Sequence, residues 1–435
     1  MSDLKSDFSS PYYPLTADMT VIIIIAAFLL MNNCSDRERT NPFDPNNPFT
    51  HGAPTNVRVK SHRNTIELRW SKIDVEDLSH YQISRAIENE ELDSFRTLSA
   101  DTNFFFDTPV DYDTTYRYAV QAFTEYDAGT LSDTVKTIPG PVNFVIADFY
   151  NFVVRKLTYD AEYIMAVNYF PSPIAVETHL QEGNIYIAEY WSQQITVTDP
   201  ELNPINTLEL NDRPIDFALD AVNQQLYILG FDQNQLIIIT TLGAHVESIS
   251  LPFQLAVKSH ICYDSLSSCA WISVSGRDSL LQVQLYDTYQ VHVYPGIIDP
   301  KKVYPDPIDG GCWTATDSGI VNLSPDGHIC RYFEDRYITD ISINQQNGDI
   351  YYIAYHSDTE SWETGYLDRS FDYVTTPILG NETPDQYHIQ VIPGNGQRGF
   401  LTMQIGSWNL LRFDNSGNKI GESGWYSSRL DIALE

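Results

Sequence analysis

The stretch Gly183-Asn-Ile-Tyr-Ile-Ala188 decides the fold, because a polar turn followed by an apolar strand recurs along most of the chain. Related stretches lie at 143–147, 224–229, 269–274, 311–315, 348–353 and 398–403. Successive copies are roughly 37 to 50 residues apart, a spacing typical of repeats that each contain four short strands. The pattern therefore predicts a repeated all-β domain over residues 140–435.

Polar turns recur in phase with these strands. They lie at 198–203, 241–244, 323–327 and 413–417, where each is expected to join the third and fourth strands of a repeat as a hairpin. This succession of strand, turn and strand resembles that of NHL-type and quinoprotein-like β-propellers. The resemblance implies four-stranded blades around a central channel, in a fold that serves many functions.

The ends of this domain predict how the ring closes. Innermost strands are predicted at 173–177, 214–219, 254–257, 338–342 and 388–391. The segment 429–434 is one more innermost strand with no blade after it, whereas the domain begins at Asn143 with a second strand and no first. Pairing these two strands removes open sheet edges and predicts seven blades. The alternative is six blades, if the weak blade at 303–335 is miscounted.

Residues 53–139 have the pattern of a β-sandwich. Alternating strands are predicted at 57–59, 65–70 and 80–85. The stretch Thr114-Thr-Tyr-Arg-Tyr-Ala-Val-Gln-Ala122 resembles strand F of fibronectin type III domains, and further landmarks of that family match Pro54, Trp70 and Tyr81. The resemblance implies that the Tyr116 hydroxyl bonds to backbone a few residues upstream. It also implies a role as a spacer or a binding module.

The N-terminus carries an export signal. An apolar run at 21–31 is too short to span a bilayer but suits the core of a signal peptide. Cys34 follows it and resembles the lipidated cysteine of bacterial lipoproteins. The resemblance implies removal of residues 1–33 and a lipid anchor in the bacterial cell envelope, at the outer membrane or cell surface. The alternative is an ordinary signal or short anchor with an incidental Cys34, and translation starts at Met1 or Met19.

Residues 34–52 are expected to be a lipid-anchored linker. The segment is polar and rich in asparagine and proline, which disfavours helix and favours an extended tether. Its Asn-Pro-Phe-Asp-Pro run at 41–45 is similar to the segment that follows the lipid cysteine in many environmental bacterial lipoproteins. We therefore expect the linker to hold the folded domains away from the membrane.

The charge balance excludes nucleic acid as a partner. The chain has 435 residues with 26 basic and 58 acidic side chains, so its formal net charge is -32. Such a protein repels a phosphate backbone. The acidity itself is typical of a solvated exterior.

Three carboxylates occupy similar positions in their predicted innermost strands: Asp216, Asp340 and Asp431. They are expected to face the channel, where carboxylates hold Ca²⁺ or orient a ligand. The alternative is that each binds neighbouring backbone amides. Candidates for metal binding or proton transfer are His179, His260 and His388. Their different positions in the repeat favour structural roles.

The five cysteines include no CxxC pair, so a zinc site of that kind is excluded. Cys262 and Cys269 flank a predicted hairpin turn, and a disulfide between them is one expectation in an oxidising compartment, with free thiols as the other. Cys312 and Cys330 fall on the second and fourth strands of one blade. They are expected to remain thiols because a strand separates them.

The sequence has no GxSxG or HExxH motif, no P-loop, and no GxGxxG in a strand–helix context. The preferred hypothesis is a noncatalytic surface protein that binds a protein, a glycan or a small ligand at a propeller face. One alternative is an extracytoplasmic, metal-dependent propeller enzyme of lactonase-like or lyase-like type, and another is a structural envelope component. Aromatic candidates for sugar or peptide contacts, with packing as the alternative, are Trp191, Trp362, Trp408 and Trp425.

Overall fold

The structure is a computed structural model. It describes residues 40–435 except 287, 334–335, 372–373, 380–385, 393–398, 405–407, 425 and 428. Within these residues the chain forms β-strands and one short 3₁₀ helix, Arg369–Phe371. No helix in this part of the chain has the length and hydropathy needed to cross a membrane. The predicted signal peptide at 1–33 and Cys34 lie outside the described residues.

Residues 58–137 form two packed antiparallel sheets. The strands are β1 Arg58–His62, β2 Thr65–Arg69, β3 Leu78–Ile87, β4 Asp93–Ser99, β5 Phe104–Asp107, β6 Tyr116–Thr124 and β7 Val135–Thr137. The orders are β1-β2-β5 and β4-β3-β6-β7. Because side chains alternate along a strand, Ile66 and Leu68 from one sheet meet Tyr81, Ile83 and Val120 from the other in a single apolar core.

The landmark aromatic residues of this unit belong to its core. Trp70 and Tyr81 meet edge to face with their ring centroids 5.4 Å apart. The Tyr81 hydroxyl accepts a hydrogen bond of 2.9 Å from the backbone N–H of Ile73. The Tyr116 hydroxyl accepts one of 3.0 Å from the N–H of Asp111, five residues upstream, as the sequence predicts. The Tyr81 hydroxyl satisfies a buried backbone amide and the Tyr116 hydroxyl a partly buried one, which accounts for tyrosine at both positions.

The remaining strands form four-stranded antiparallel sheets, seven of them in the described residues. The first contains β8 Phe144–Asp148, β9 Val153–Leu157, β10 Ile164–Tyr169 and, from the end of the chain, β35 Leu430–Leu434. The second contains β11 Pro173–Thr178, β12 Ile185–Glu189, β13 Gln194–Thr198 and β14 Pro204–Glu209. The third contains β15 Pro214–Asp220, β16 Gln225–Gly230, β17 Gln235–Thr240 and β18 His245–Ser250. The fourth contains β19 His260–Asp264, β20 Cys269–Val274, β21 Ser279–Gln284 and β22 Val291–Pro295.

The last three sheets follow the same plan. The fifth contains β23 Val303–Pro305, β24 Cys312–Thr316, β25 Gly319–Leu323 and β26 Ile329–Tyr332. The sixth contains β27 Tyr337–Ile343, β28 Ile350–His356, β29 Ser361–Asp368 and β30 Val374–Leu379. The seventh contains β31 Gln386–Val391, β32 Phe400–Gln404, β33 Asn409–Phe413 and β34 Lys419–Ser423. In each of these sheets the strands lie in chain order, so consecutive strands form a meander.

Burial falls from the inside of each sheet to its outside. The second strand β12 is buried along its whole length, whereas the fourth strand β14 exposes five of its six residues. The pair β16 and β18 repeats this contrast. A strand covered on both faces needs a continuous apolar run, and an outer strand carries polar side chains that protect its free edge. We call the first strand of each sheet (β35, β11, β15, β19, β23, β27 and β31) its inner strand.

Apolar clusters connect the sheets in a cyclic order. One cluster spans the second, third and fourth sheets, and others join the fourth to the fifth, the fifth to the sixth and the sixth to the seventh. The circle closes where Leu401, Met403 and Leu410 of the seventh sheet pack against Phe144 and Ile146 of the first. The last strand β35 pairs with β8, with Ile432 opposite Ile146, as predicted. This cyclic all-β arrangement is consistent with a β-propeller.

One predicted innermost strand is wrong. Residues 254–257 are not a strand, and the fourth sheet begins instead at His260. The N–H of Leu255 donates to the Asn234 side chain at 2.8 Å, and Ala256 and Ser259 bond to each other in a turn. These bonds hold the apolar segment as a loop, because they occupy backbone groups that a sheet ladder would need.

Polar contacts join the two-sheet unit to the first four-stranded sheet. The Thr137 hydroxyl donates to Asp160 at 2.8 Å, and the amide of Asn143 lies 2.9 Å from Nδ1 of His62. Lys60 Nζ donates to the Met165 carbonyl at 3.0 Å. The two units therefore meet near the place where β35 closes the ring.

Candidate functional site

A cavity of about 660 Å³ lies where the inner strands begin. All seven sheets contribute inner-strand residues or their immediate neighbours to its wall, so it occupies the centre of the ring. Loops that follow the second strands complete the wall and include Tyr150, Ser275 and Trp408. The volume falls in the range of small-molecule sites.

Asp216 and His260 form the first aspartate–histidine pair of the cavity wall. His260 Nδ1 lies 3.1 Å from Asp216 Oδ2, and the same oxygen accepts a hydrogen bond of 3.0 Å from the N–H of Ile261. The other carboxylate oxygen accepts from the N–H of Phe217 at 2.9 Å. The side chain of β15 thus satisfies an amide of β19 and orients an imidazole at the cavity wall.

Asp340 and His388 repeat this arrangement. His388 Nδ1 lies 3.3 Å from Asp340 Oδ2, which also accepts from the N–H of Ile389 at 3.1 Å. The second oxygen accepts from the N–H of Ile341 at 2.9 Å. The same local pattern, an aspartate on one inner strand and His-Ile on the next, produces the same contacts in two sheet pairs.

Asp431 makes the third version, with a lysine in place of histidine. Its Oδ2 accepts from the N–H of Val176 at 2.9 Å, and its Oδ1 accepts from Lys302 Nζ at 2.5 Å. Burial alone would raise the pKa of Asp431, but the Lys302 ammonium holds that pKa below its ordinary value. Burial would likewise lower the pKa of Lys302, yet Asp431 and the neighbouring acidic groups raise it well above normal. The pair is therefore charged on both sides at neutral pH.

Two further ionisable groups lie close to this pair: Tyr304 on the cavity wall and Glu177 on the inner strand β11. Glu177 follows Val176 on β11, and its burial together with the Asp431 charge raises its pKa to about 8. Burial, with Asp340 as the largest acidic neighbour, raises the pKa of the Tyr304 phenol. Both groups are consequently neutral or largely neutral at pH 7, which limits charge repulsion among the carboxylates.

The structure brings together five of the six predicted aspartate and histidine candidates. The cavity wall contains Asp216, Asp340, Asp431, His260 and His388. His179 is elsewhere: it is buried in the turn after β11, where its Nδ1 accepts from the N–H of Glu182 at 3.2 Å. Its Nε2 lies 3.2 Å from the Gln224 side chain. These contacts support the turn, in agreement with the structural alternative.

The predicted Ca²⁺ site has no ligand set in the described residues. In that part of the chain, no three histidine, cysteine, aspartate or glutamate side chains lie close enough to hold a metal ion. The three aspartates reach one cavity, but each is directed at a backbone N–H of the next inner strand and at His260, His388 or Lys302. This is the amide-binding alternative, and it directs each carboxylate away from a shared centre.

The expected disulfide between Cys262 and Cys269 is not formed. Both residues are buried free thiols. In the β19–β20 ladder, Cys262 lies opposite Trp271 and Cys269 lies opposite Asp264, so the two cysteines are not cross-strand neighbours. The register is set by the tight turn after Asp264. Cys312 and Cys330 are also free, on β24 and β26 with β25 between them, although Cys330 is only half-buried.

The sequence prediction missed the basic residues of the cavity. The wall includes Lys258, Lys301, Lys302 and Arg429. Each lies in a loop before an inner strand, and the repeated sequence pattern does not extend to these loops. The lysines and the arginine could still have been predicted as cavity residues from their position in such loops, because loops on one face of a ring converge on its channel.

The predicted tryptophans are in different surroundings. Trp408 lines the cavity, and Trp191 is 64% exposed on the loop after β12. Trp362 packs against Tyr355 with centroids 5.1 Å apart. Trp425 lies outside the described residues. Only Trp408 and Trp191 of the described tryptophans are thus placed to meet a ligand on the cavity side.

The chain matches no protein-family model and no curated protein sequence. Among solved structures it is similar to a functionally unknown protein from Desulfotomaculum acetoxidans, with a TM-score of 0.55 and 10% identity over 68% of this chain and 99% of that one. The match to streptogramin B lyase has a TM-score of 0.45 and 12% identity, and it covers 67% of this chain and 98% of that one. The match to the dihydro-heme d1 dehydrogenase NirN has a TM-score of 0.48 and 9% identity, and it covers 66% of this chain and 64% of that one. The similarity to the Desulfotomaculum acetoxidans protein shows a shared fold, and these neighbours, whose functions are unknown or varied, assign no activity to this chain.

Proposed function

We propose that the protein is an exported, lipid-anchored binding protein of the bacterial cell envelope, at the outer membrane or cell surface. A fibronectin type III-like spacer at 53–139 presents a seven-bladed β-propeller at 140–435, and the propeller binds a small ligand or the end of a glycan in its central cavity. One observation carries the binding role: all seven inner strands contribute to a single cavity in which paired polar groups converge.

The anchored layout rests on sequence features. The apolar run at 21–31 directly precedes Cys34, and the proline-rich linker at 34–52 leads to the first folded unit. Replacing Cys34 by alanine is expected to move the full-length protein from the membrane fraction to the soluble fraction. Unchanged membrane association of Cys34→Ala would refute lipid anchoring without touching the binding role.

The proposed blades are the seven sheets joined cyclically by apolar clusters. The spacer interpretation rests on the two packed sheets, on Trp70 and Tyr81 in the core and on the Tyr116 contact to Asp111. Removing the spacer is not expected to change affinity, because the cavity wall contains no residue from 53–139.

The binding role is tested by blocking the cavity. Ser275 lies on the wall, and Ser275→Trp would fill the opening with a large ring. Val222, 88% exposed in the loop after β15, is at the other end of its sheet, so Val222→Trp is a matched control. A thermal-shift screen with neutral, anionic and aromatic small molecules is expected to find stabilisers of the wild type and of Val222→Trp that do not stabilise Ser275→Trp. Stabilisation that is equal in all three proteins would overturn the assignment.

A second candidate function is acid–base catalysis, favoured by the two matching Asp–His pairs. A carboxylate on Nδ1 fixes the imidazole and leaves its other nitrogen as the reactive one, which suits proton transfer. This version needs no metal. It predicts that a compound bound in the cavity is converted by the wild type and that His260→Gln binds it without conversion. Binding with no product over many hours would exclude this candidate.

A further inference from the structure

The cavity wall contains four carboxylates and four lysine or arginine side chains. The acids are Asp216, Asp299, Asp340 and Asp431, and the bases are Lys258, Lys301, Lys302 and Arg429. Every acid has a cationic or imidazole partner: His260, Lys301, His388 and Lys302 respectively. The acids of the wall therefore have their electrostatic partners within the protein.

Among the described residues, two of the four bases form ion pairs with carboxylates and two do not. Lys302 pairs with Asp431, and Lys301 bridges Asp299 and Asp317. Within the described residues, neither Arg429 nor Lys258 forms an ion pair. Arg429 Nη2 donates to the carbonyl of Val257 at 3.0 Å, which places its guanidinium beside the residue that precedes Lys258. The two cations thus lie on the same side of the cavity.

In the part of the chain that the structure describes, ring stacking and one carbonyl, rather than an ion pair, hold Arg429 in place. Its guanidinium lies over the ring of Phe149, 4.7 Å from the centroid, and the side chain is half-buried. Burial lowers the pKa of Arg429, and the neighbouring Tyr150, Tyr190 and Asp216 offset this only in part. A guanidinium fixed by stacking and one carbonyl keeps several N–H groups for an incoming anion.

Aromatic rings lie next to the Arg429 guanidinium, in the loops that follow the second strands of the first and second sheets. Phe149, under Arg429, has its ring centroid 5.1 Å from that of Tyr150 and 6.3 Å from that of Tyr190. Trp191 follows at 4.8 Å from Tyr190. Tyr150 is 58% exposed and Trp191 is 64% exposed. We call these four residues the aromatic rim; its exposed rings are the kind of surface on which sugar rings stack.

From this geometry we infer that the cavity binds a carboxylate-bearing sugar, with its carboxylate between Arg429 and Lys258 and its ring on Tyr150. The inference rests on the proposed binding function and specifies its ligand. Ser275, Thr339 and Gln390 of the wall supply hydrogen-bonding side chains for sugar hydroxyls. A protein of net charge -32 repels long polyanions, so a single acidic residue, free or at the end of a glycan, fits better than a polyuronate.

The test compares two sugars that differ in the charged group alone. Isothermal titration of the full chain with methyl β-D-glucuronide is expected to show binding, and methyl β-D-glucoside is expected to bind at least about tenfold more weakly. A disaccharide of one neutral sugar and a terminal glucuronate distinguishes two kinds of ligand: a glycan terminus would bind more tightly than the monosaccharide, and a free acid would not. Glutamyl-glutamate serves as an acidic ligand without a sugar ring.

Variants locate the anion. Arg429→Met and Lys258→Met are each expected to weaken glucuronide binding about tenfold or more, whereas Arg429→Lys, which keeps the charge but not the stacked donor fork, is expected to weaken it less than Arg429→Met. Arg331→Met is the matched control, because Arg331 also donates to a carbonyl, Gly296 at 2.9 Å, but lies on the outer strand β26. Lys258 is exposed, so its variant remains informative if Arg429→Met does not fold.

The outcomes separate this inference from the proposed function. Equal binding of glucoside and glucuronide, full affinity of Arg429→Met and Lys258→Met, or tighter binding of glutamyl-glutamate would each overturn the acidic-sugar assignment. In these cases the cavity function stands if Ser275→Trp still abolishes binding of another compound. If Ser275→Trp binds methyl β-D-glucuronide as the wild type does, the cavity itself is not the site and both assignments fail.

Discussion

Asp431 Oδ2 accepts a hydrogen bond of 2.9 Å from the backbone N–H of Val176, 255 residues earlier in the chain. The other oxygen of the same carboxylate holds Lys302 at 2.5 Å. One side chain on the last strand therefore joins the inner strand of the second sheet to the segment before the fifth. These contacts hold β35 in addition to the β35–β8 ladder.

Neutralising Asp431 should destabilise the fold. Asp431→Asn keeps an oxygen for Val176 but leaves Lys302 without its counter-charge, at an expected cost of about 3 kcal/mol in the free energy of unfolding. Denaturant unfolding measures this cost, and the double variant with Lys302→Met should recover part of it. Asp299→Asn, which breaks a more exposed pair, is the control and should cost about 1 kcal/mol or less. Equal costs for the two single variants would contradict the account.

Glu177 should make stability depend on pH. Its pKa is about 8 in the folded chain and near 4.5 when unfolded, so between these values only the folded state holds the proton. The contribution of the protonated Glu177 carboxyl to the free energy of unfolding is fully present below pH 4.5 and is lost as the pH rises to about 8. Glu177→Gln should reduce the slope of unfolding free energy against pH, by up to about 1.4 kcal/mol per pH unit around pH 6 to 7. Identical slopes for the two proteins would show that Glu177 is ionised in the folded state.

The aspartate–amide contacts should be separable by hydrogen exchange. Asp216→Ala leaves the N–H of Ile261 without its acceptor, and Asp340→Ala does the same to Ile389. Each variant should speed exchange in the segment that contains its own partner and spare the other, so each is the control for the other. Accelerated exchange at both sites in both variants would instead indicate that the carboxylates act through the whole ring.

Removing the Tyr116 hydroxyl should cost about 1 kcal/mol of stability in the two-sheet unit. Tyr116→Phe retains the buried ring but leaves the N–H of Asp111 without its acceptor at 3.0 Å. Thermal unfolding of the full chain measures the effect. Tyr126, 91% exposed, provides Tyr126→Phe as a control with no expected change. If Tyr116→Phe is as stable as the control, the hydrogen bond between Tyr116 and Asp111 does not contribute to the stability of the two-sheet unit.

The sequence predicts this fold well where the signal repeats. Apolar second strands such as Ile185–Glu189 and polar hairpin turns recur in phase, and the unmatched segment 429–434 predicts closure with Asn143 onward. The segment 254–257 misled the prediction because its Leu-Ala-Val pattern fits a strand, whereas Asn234, in the turn between β16 and β17 of the third sheet, holds it in a loop. Local propensity has no access to such a partner.

The site is less predictable than the fold for the same reason. Asp216 and Asp340 stand out because they occupy equivalent positions in their strands. Lys302 meets Asp431 across 129 residues, and Arg429 meets Val257 across 172, so neither contact follows from spacing. Of the two alternatives for Cys262 and Cys269, the structure has the free thiols, because a short turn places Asp264, not Cys262, opposite Cys269.

The central claim, that the ring cavity is the binding site, is tested most directly by hydrogen–deuterium exchange of the full chain with and without a saturating stabiliser from the thermal-shift screen. The account predicts slower exchange in the wall segments 257–260, 299–302 and 429–432, and no change at 221–224 at the other end of the third sheet. Protection confined to residues 53–139 or to the outer strands, with the wall segments unchanged, would contradict it.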